Sequence, residues 1–236
     1  MLIFALLFLL FSPAIVSAEP LAQINISIGI VEVSENSSIT VSDDKTKKNI
    51  TALLTEAQKI INELAFGGEN IIKLQIGSFE KLKLANPPKV ELKSEKGYIV
   101  TGWDYLQSAS IVDANAYSKK TDLQIFIFSN KIIDISNGEI FYTGGFYIEG
   151  TNKIAISYIN QEIYAAQYPR FYPMILLHEL GHYLGLKHKP KKECEKIRFI
   201  MCEDSRVIST PQTTEASYKK AWHDFYYLRT GQKPPQ

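Results

Sequence analysis

The spacing of apolar residues changes several times along the chain, and each change predicts an element. Ile24, Ile26, Ile28 and Ile30 alternate within residues 24–33, predicting a strand with one apolar face. Ile50, Leu53, Leu54, Ala57, Ile60, Ile61 and Leu64 keep helical spacing, and Gly67-Gly68 supplies the stop. Alternation returns at Ile72, Leu74 and Ile76. Residues 79–97 contain many lysines and Pro87-Pro88, and read as an irregular excursion. Tyr105, Ala109, Val112 and Ala116 predict a second helix, and LQIFIF at 123–128 a strand buried on both faces. Turn chemistry at Asn137-Gly138, Gly144-Gly145 and Gly150 brackets a short strand, and residues 153–159 predict another. A helix follows from about Arg170 to Leu184, with Pro173 confined to its first turn. A last helix over 215–228 turns Tyr218, Ala221, Trp222, Phe225 and Leu228 inward. The pattern contains no internal repeat. It reads as one α/β domain of the α+β type, a mixed twisted sheet with packed helices over residues 19–236, including a short N-terminal extension.

The first residues follow a different rule. LIFALLFLLF at 2–11 is unbroken apolar sequence, followed by Ser-Pro and the small residues Val16-Ser17-Ala18. That is the layout of a secretory signal over residues 1–18, although no Lys or Arg precedes the apolar core. An uncleaved membrane anchor is the alternative, disfavoured because a spanning helix needs roughly 20 apolar residues. Either way the folded part is expected outside the cytoplasm, with no membrane role beyond export. Sequons at Asn25, Asn36 and Asn49 fit an exported chain with an exposed N-terminal region.

Composition narrows the field further. The 236 residues carry 26 Lys+Arg against 25 Asp+Glu, so there is no basic excess and nucleic acid is not an expected partner. With 45% hydrophobic residues the chain can bury a sizeable core, and two cysteines are too few for a disulfide-built mini-domain.

The chemistry is concentrated in HELGHYLGLKH at 178–188. His178 and His182 are four residues apart on a helix, roughly 40° apart around the axis and about 6 Å along it. Both imidazoles can therefore reach one metal ion. Glu179 stands beside them and need not touch the ion; its carboxylate can hold the water that the ion activates. Gly185 can adopt the left-handed backbone that ends a helix, letting the chain turn back and offer His188 as third ligand. Three neutral imidazoles and a water make an open tetrahedral zinc site, as catalysis requires. Three of the four histidines fall in this frame. The fourth, His223, reads as a surface or packing residue on the last helix.

The residues His178, Glu179, His182, Gly185 and His188 match H-E-x-x-H-x-x-G-x-x-H, and the chain thereby resembles the metzincin zinc peptidases. In order and spacing of elements it looks most like the archaemetzincins. The resemblance implies a zincin fold with an active-site helix, one catalytic zinc, and a methionine in a tight turn beneath it, for which Met201 is the candidate. It also implies an edge strand that holds an extended peptide by strand addition, the place occupied by residues 153–159. Archaemetzincins typically place a cysteine directly after the third histidine and use four cysteines for a second, structural zinc. Here Lys189 follows His188 and only Cys194 and Cys202 exist, so a second zinc is not supported. Glu203, two residues past Met201, sets the chain apart from metzincins with a zinc-binding tyrosine there.

In an oxidising compartment Cys194 and Cys202 are expected to form a disulfide, two free thiols being the alternative. Closing that short loop contributes about 2–3 kcal/mol on the chain-entropy account. The basic run from Lys187 to Arg198 reads as a solvated loop. No cysteine precedes Cys194, so latency through a cysteine on the metal has no candidate residue. The expected function is a secreted zinc metallopeptidase acting on peptides or proteins, with Glu179 as general base. The competing expectation is an exported zinc-binding or interaction module without catalysis; a variant of the enzyme reading takes Glu203 as third ligand.

Overall fold

The computed structural model describes residues 21–32, 44–83, 100–101, 121–128, 132–136, 139–157, 171–195, 199–202 and 216–234. The apolar leader, Asn36, the helix expected around 105–116, the Asn137-Gly138 turn and Glu203 lie outside them. Among the described residues, no helix is long and apolar enough to cross a membrane.

Strand β1 (Ala22–Glu32) runs parallel to β2 (Ile72–Lys83) on one side and to β4 (Leu123–Phe128) on the other. Strand β8 (Lys153–Ser157) continues the parallel set beyond β4, and β7 (Gly145–Ile148) closes it antiparallel, giving the order β2-β1-β4-β8-β7. A smaller sheet joins β3 (Val100–Thr101), β5 (Ile132–Ser136) and β6 (Glu139–Thr143) in the order β3-β5-β6. The fold is thus mixed α/β, with a mostly parallel sheet and packed helices.

Two expectations change. Strand β2 extends to Lys83, into the stretch from residue 79 whose sequence reads as irregular. It is the outermost strand of the described sheet beside β1. Charged residues such as Glu80 and Lys81 are tolerated in such a strand, where one side can stay wet. The strand at 153–159 was expected at the sheet edge. Instead β8 is paired on both sides, and β7 is the outer strand of the described sheet.

The β1 isoleucines show why the sheet is central. Ile24, Ile26, Ile28 and Ile30 are fully buried, as is Val31. Asn25, by contrast, sits inside β1, and both its backbone and side-chain amides donate to Asp122 Oδ2, at 2.8 and 3.1 Å. This sequon residue is a strand-tying group in the sheet.

Helix α1 (Asp44–Phe66) covers the sheet with Ile50, Leu53, Leu54, Ala57, Ile60 and Ile61, while Leu64 is only partly buried. One buried residue on that face is polar. Asn62 Oδ1 accepts from the Ile71 and Ile72 amides at 3.1 and 2.8 Å, and its Nδ2 donates to the Ile72 carbonyl at 3.0 Å. The side chain satisfies the backbone where β2 begins, so the helix and strand meet at a fixed angle.

Helix α2 (Phe171–Tyr183) carries the histidine frame and is buried on almost every side: Met174, Ile175, Leu176, Leu177 and Leu180 are in the core. Pro173 is its third residue, within the first turn that tolerates it. A short helix α3 (Lys191–Cys194) follows, and α4 (Ala216–Thr230) closes the described chain. Tyr218, Trp222, Phe225 and Tyr226 of α4 are buried, whereas Leu228, expected inward, is exposed. His223 packs as expected: its Nε2 lies 2.7 Å from the Ala65 carbonyl and its ring stacks on Phe66.

Candidate metal centre

Helix α2 ends in a turn built by glycine. Gly185 has φ +86°, its amide donates to the His182 carbonyl at 2.9 Å, and the Leu186 amide donates to the Gly181 carbonyl at 2.9 Å. These two bonds form a Schellman motif, which satisfies the last carbonyls of the helix and reverses the chain. His188 is thereby swung back over the two helical histidines.

The three Nε2 atoms converge. They are 3.2 Å apart for His178 and His182, 3.0 Å for His178 and His188, and 3.0 Å for His182 and His188. Other contacts fix which nitrogen faces inward. His178 Nδ1 donates to the Ile200 carbonyl at 2.6 Å, and His182 Nδ1 donates to the Leu186 carbonyl at 2.8 Å. With the proton on Nδ1, each neutral ring turns an unprotonated Nε2 towards the other. Two bare lone pairs 3.2 Å apart repel, and a cation between them removes the repulsion. The triangle also suits the ion: metal–nitrogen bonds of about 2.0–2.1 Å in tetrahedral array need nitrogens roughly 3.3 Å apart.

Burial keeps the His178 and His182 rings neutral. His178 is pushed down to about 4, chiefly by desolvation, with the Ile200 carbonyl opposing and the other two rings adding to the shift. His182 is also lowered, first by burial, against which the Leu186 carbonyl and the charge of Glu149 act. Neutral imidazole is the ligating form. His188 is the exposed member of the set, so the centre opens to solvent on its side.

Glu179 is almost fully buried at 4% exposure, and desolvation pushes its carboxyl up to about 8. The opposing influence is a hydrogen bond from the backbone amide of Tyr147 on β7. Edge strand and acid are therefore in direct contact. A Cβ placed on Gly145 would lie 3.3 Å from Glu179 Cγ, 2.9 Å from Ile175 Cγ2 and 3.0 Å from the Ala155 carbonyl. Glycine at 145 is what lets β7 lie against α2 so closely.

Met201 is fully buried beneath α2, beside Gly181, and its carbonyl accepts from the Lys189 amide at 2.8 Å. That bond ties the segment just after His188 to the turn whose Ile200 carbonyl orients His178. A disulfide between Cys194 and Cys202 closes the same segment, and no free cysteine is present. From the other side, Tyr218 Oη donates to the Leu177 carbonyl at 3.0 Å, anchoring α4 to α2. Asp122 joins further pieces, accepting from Arg229 Nη2 at 2.6 Å and from Asn25.

His178, His182, His188, Glu179, Gly185 and Met201 are all brought together at this place. Glu203 lies outside the described residues. Sequence reading missed the carbonyls of Ile200 and Leu186, the Tyr147 amide, and Gly181. Only Gly181 carried a signal, since a glycine inside a helix costs about 1 kcal/mol and usually has a packing reason.

No family model matches the chain, and no curated relative matches it. Among solved structures it is similar to the archaemetzincin of Methanopyrus kandleri, at 13% identity and TM-score 0.49, over 85% of this chain and 94% of that one. It is similar to the archaemetzincin of Archaeoglobus fulgidus complexed with malonate, at 14% identity and TM-score 0.46, over 84% of this chain and 99% of that one. A third likeness is to metalloproteinase-II of Bacteroides fragilis, at 14% identity and TM-score 0.33, over 90% of this chain and 54% of that one. With identities this low, the chemistry of the centre rests on its own side-chain geometry.

Proposed function

We propose that the chain is an exported zinc-dependent peptidase. The single observation that carries this is the convergence of three Nε2 atoms within 3.0–3.2 Å beside a buried, edge-strand-bonded glutamate. Imidazole donors suit zinc and related transition metals, while calcium and magnesium seek oxygen ligands. Zinc held by His178, His182 and His188 would supply a Lewis acid for the peptide carbonyl and lower the pKa of water toward about 7.

The chain's own groups would do the rest. Glu179 would take the proton of the attacking water on a carboxylate oxygen and deliver it to the nitrogen of the departing amine. The Tyr147 amide orients that carboxylate. Strand β7, terminal in the described sheet, offers the line along which an extended peptide would add. The reading of export is supported by the apolar leader and by the Cys194–Cys202 disulfide, since such bonds persist in oxidising compartments.

The test pairs metal quantification with digestion of a peptide library. Wild-type protein should bind one zinc per chain and cleave. Glu179→Gln should keep the zinc and lose cleavage by at least about a hundredfold, within the range for general-base removal. His188→Ala should lose zinc. Zinc binding with no turnover in wild type would instead establish a non-catalytic binding module, and full turnover in Glu179→Gln would remove the base assignment.

A further inference from the structure

A second carboxylate follows the strand that touches Glu179 and is not used by the chemistry above. Glu149 follows β7 directly, at the start of the turn to β8, and its side chain is exposed. The turn that carries it is heavily cross-braced. Gly150 has φ +75°, the Thr151 amide and hydroxyl both donate to the Ile148 carbonyl at 3.1 and 2.6 Å, and the Lys153 amide donates to Thr151 Oγ1 at 3.1 Å. The Tyr147 hydroxyl also donates to the Thr151 carbonyl. The backbone that carries this exposed acid is therefore held in place before any ligand arrives.

The register of β7 along α2 carries the strand past Ile175 and Glu179 in the direction of this acid. Gly144 and Gly145 lie against Ile175, and the Tyr147 amide reaches Glu179, one helical turn further on. Two residues beyond Tyr147 comes Glu149, which continues the line of β7 past Glu179, and its charge acts on the Tyr147 hydroxyl. Among the described residues the Glu149 carboxylate has no salt-bridge partner. Antiparallel addition is the stronger pairing for a peptide laid on β7. In that direction, residues preceding the scissile bond extend toward the C-terminal end of β7, where Glu149 stands.

We propose that Glu149 is a specificity-determining residue that selects peptides carrying a cation, an α-ammonium or a Lys/Arg side chain, on the N-terminal side of the cleaved bond. This rests on the peptidase reading for cleavage, but binding can be measured apart from it. The experiment uses the full chain, zinc-loaded, at low ionic strength so that screening does not hide the charge. Four matched peptides are compared: free against acetylated N-terminus, and lysine against norleucine in the residues before the cleaved bond. Cleavage is followed as kcat/KM, and binding by fluorescence anisotropy on a Glu179→Gln background.

Wild type should favour the cationic member of at least one pair by roughly twofold to fivefold, within the range for an exposed charge contact. The pair that responds identifies the α-ammonium or the side chain as the source. Glu149→Gln should erase the preference, and Glu149→Lys should reverse it, with melting temperatures near wild type. Equal treatment of both peptides by wild type overturns the proposal, as does an unchanged preference in both variants. If wild type cleaves nothing but binding still shows a Glu149-dependent cation preference, the peptidase reading falls and the role of Glu149 stands as a binding determinant.

Discussion

Met201 occupies the space that a side chain at Gly181 would need: a Cβ built on Gly181 would sit 2.3 Å from Met201 Sδ and 3.3 Å from Tyr218 Cε2. The glycine between Leu180 and His182 is thus a seat for the methionine. Gly181→Ala should force Met201 to shift and cost roughly 1–3 kcal/mol, the usual penalty for overpacking a filled core. The Ile200 carbonyl, which orients His178, moves with its neighbour, so zinc affinity should fall as well. Urea unfolding and competitive zinc titration of the variant check the two effects separately. Wild-type values in both would mean that Met201 relocates without consequence.

The disulfide offers a second test. The Cys194→Ser/Cys202→Ser double variant should lose about 2–3 kcal/mol of stability, the loop-closure value for so short a ring. Because the Lys189–Met201 bond and the Ile200 carbonyl belong to the same braced segment, zinc should also dissociate faster from this variant. Denaturant unfolding and stopped-flow chelator capture are the measurements. An unchanged zinc off-rate would separate the disulfide from the metal centre.

Metal-free protein should show a particular pH response. Glu179 in the folded state binds a proton up to about 8, whereas an unfolded glutamate releases it near 4.5, so the stability it contributes is lost as pH rises through 8. His178 works in the opposite sense, being held neutral down to about 4 while an unfolded histidine protonates near 6.5; stability is lost as pH falls through that window. The two roughly cancel between pH 4.5 and 6.5. From pH 6.5 to 8, Glu179 acts alone and should remove roughly 2 kcal/mol. Chelator-treated protein should therefore melt at a lower temperature at pH 8 than at 6.5, and Glu179→Gln should flatten that slope. A melting temperature that rises over this interval in wild type contradicts the assignment.

The parts legible in the sequence were those whose causes are local. The histidine frame declares itself because helical pitch places His178 and His182 together, and because a glycine at 185 permits the turn. The β1 isoleucines and the buried face of α1 follow from periodicity alone. What stayed hidden depends on partners far along the chain. Residues 153–159 read as a strand and 153–157 form one, but nothing in KIAIS says that it has neighbours on both sides and that GFYI is the outer strand of the described sheet. Asn62 looks like a polar interruption of a helix face until the entry to β2 arrives to claim three of its side-chain hydrogen bonds. Asn25 matches a sequon equally well whether it faces water or, as here, ties β1 to Asp122.

The Schellman turn at Gly185 also bears on the order of assembly. All three imidazoles come from an eleven-residue stretch, so gathering them closes almost no loop and demands little chain entropy. The tuning carbonyl of Ile200 must instead arrive from beyond the α3 segment, sealed by the Lys189 amide on Met201. A nascent chain can therefore collect its ligand atoms early and loosely, and it gains a rigid, correctly poised centre only when this downstream clasp snaps shut.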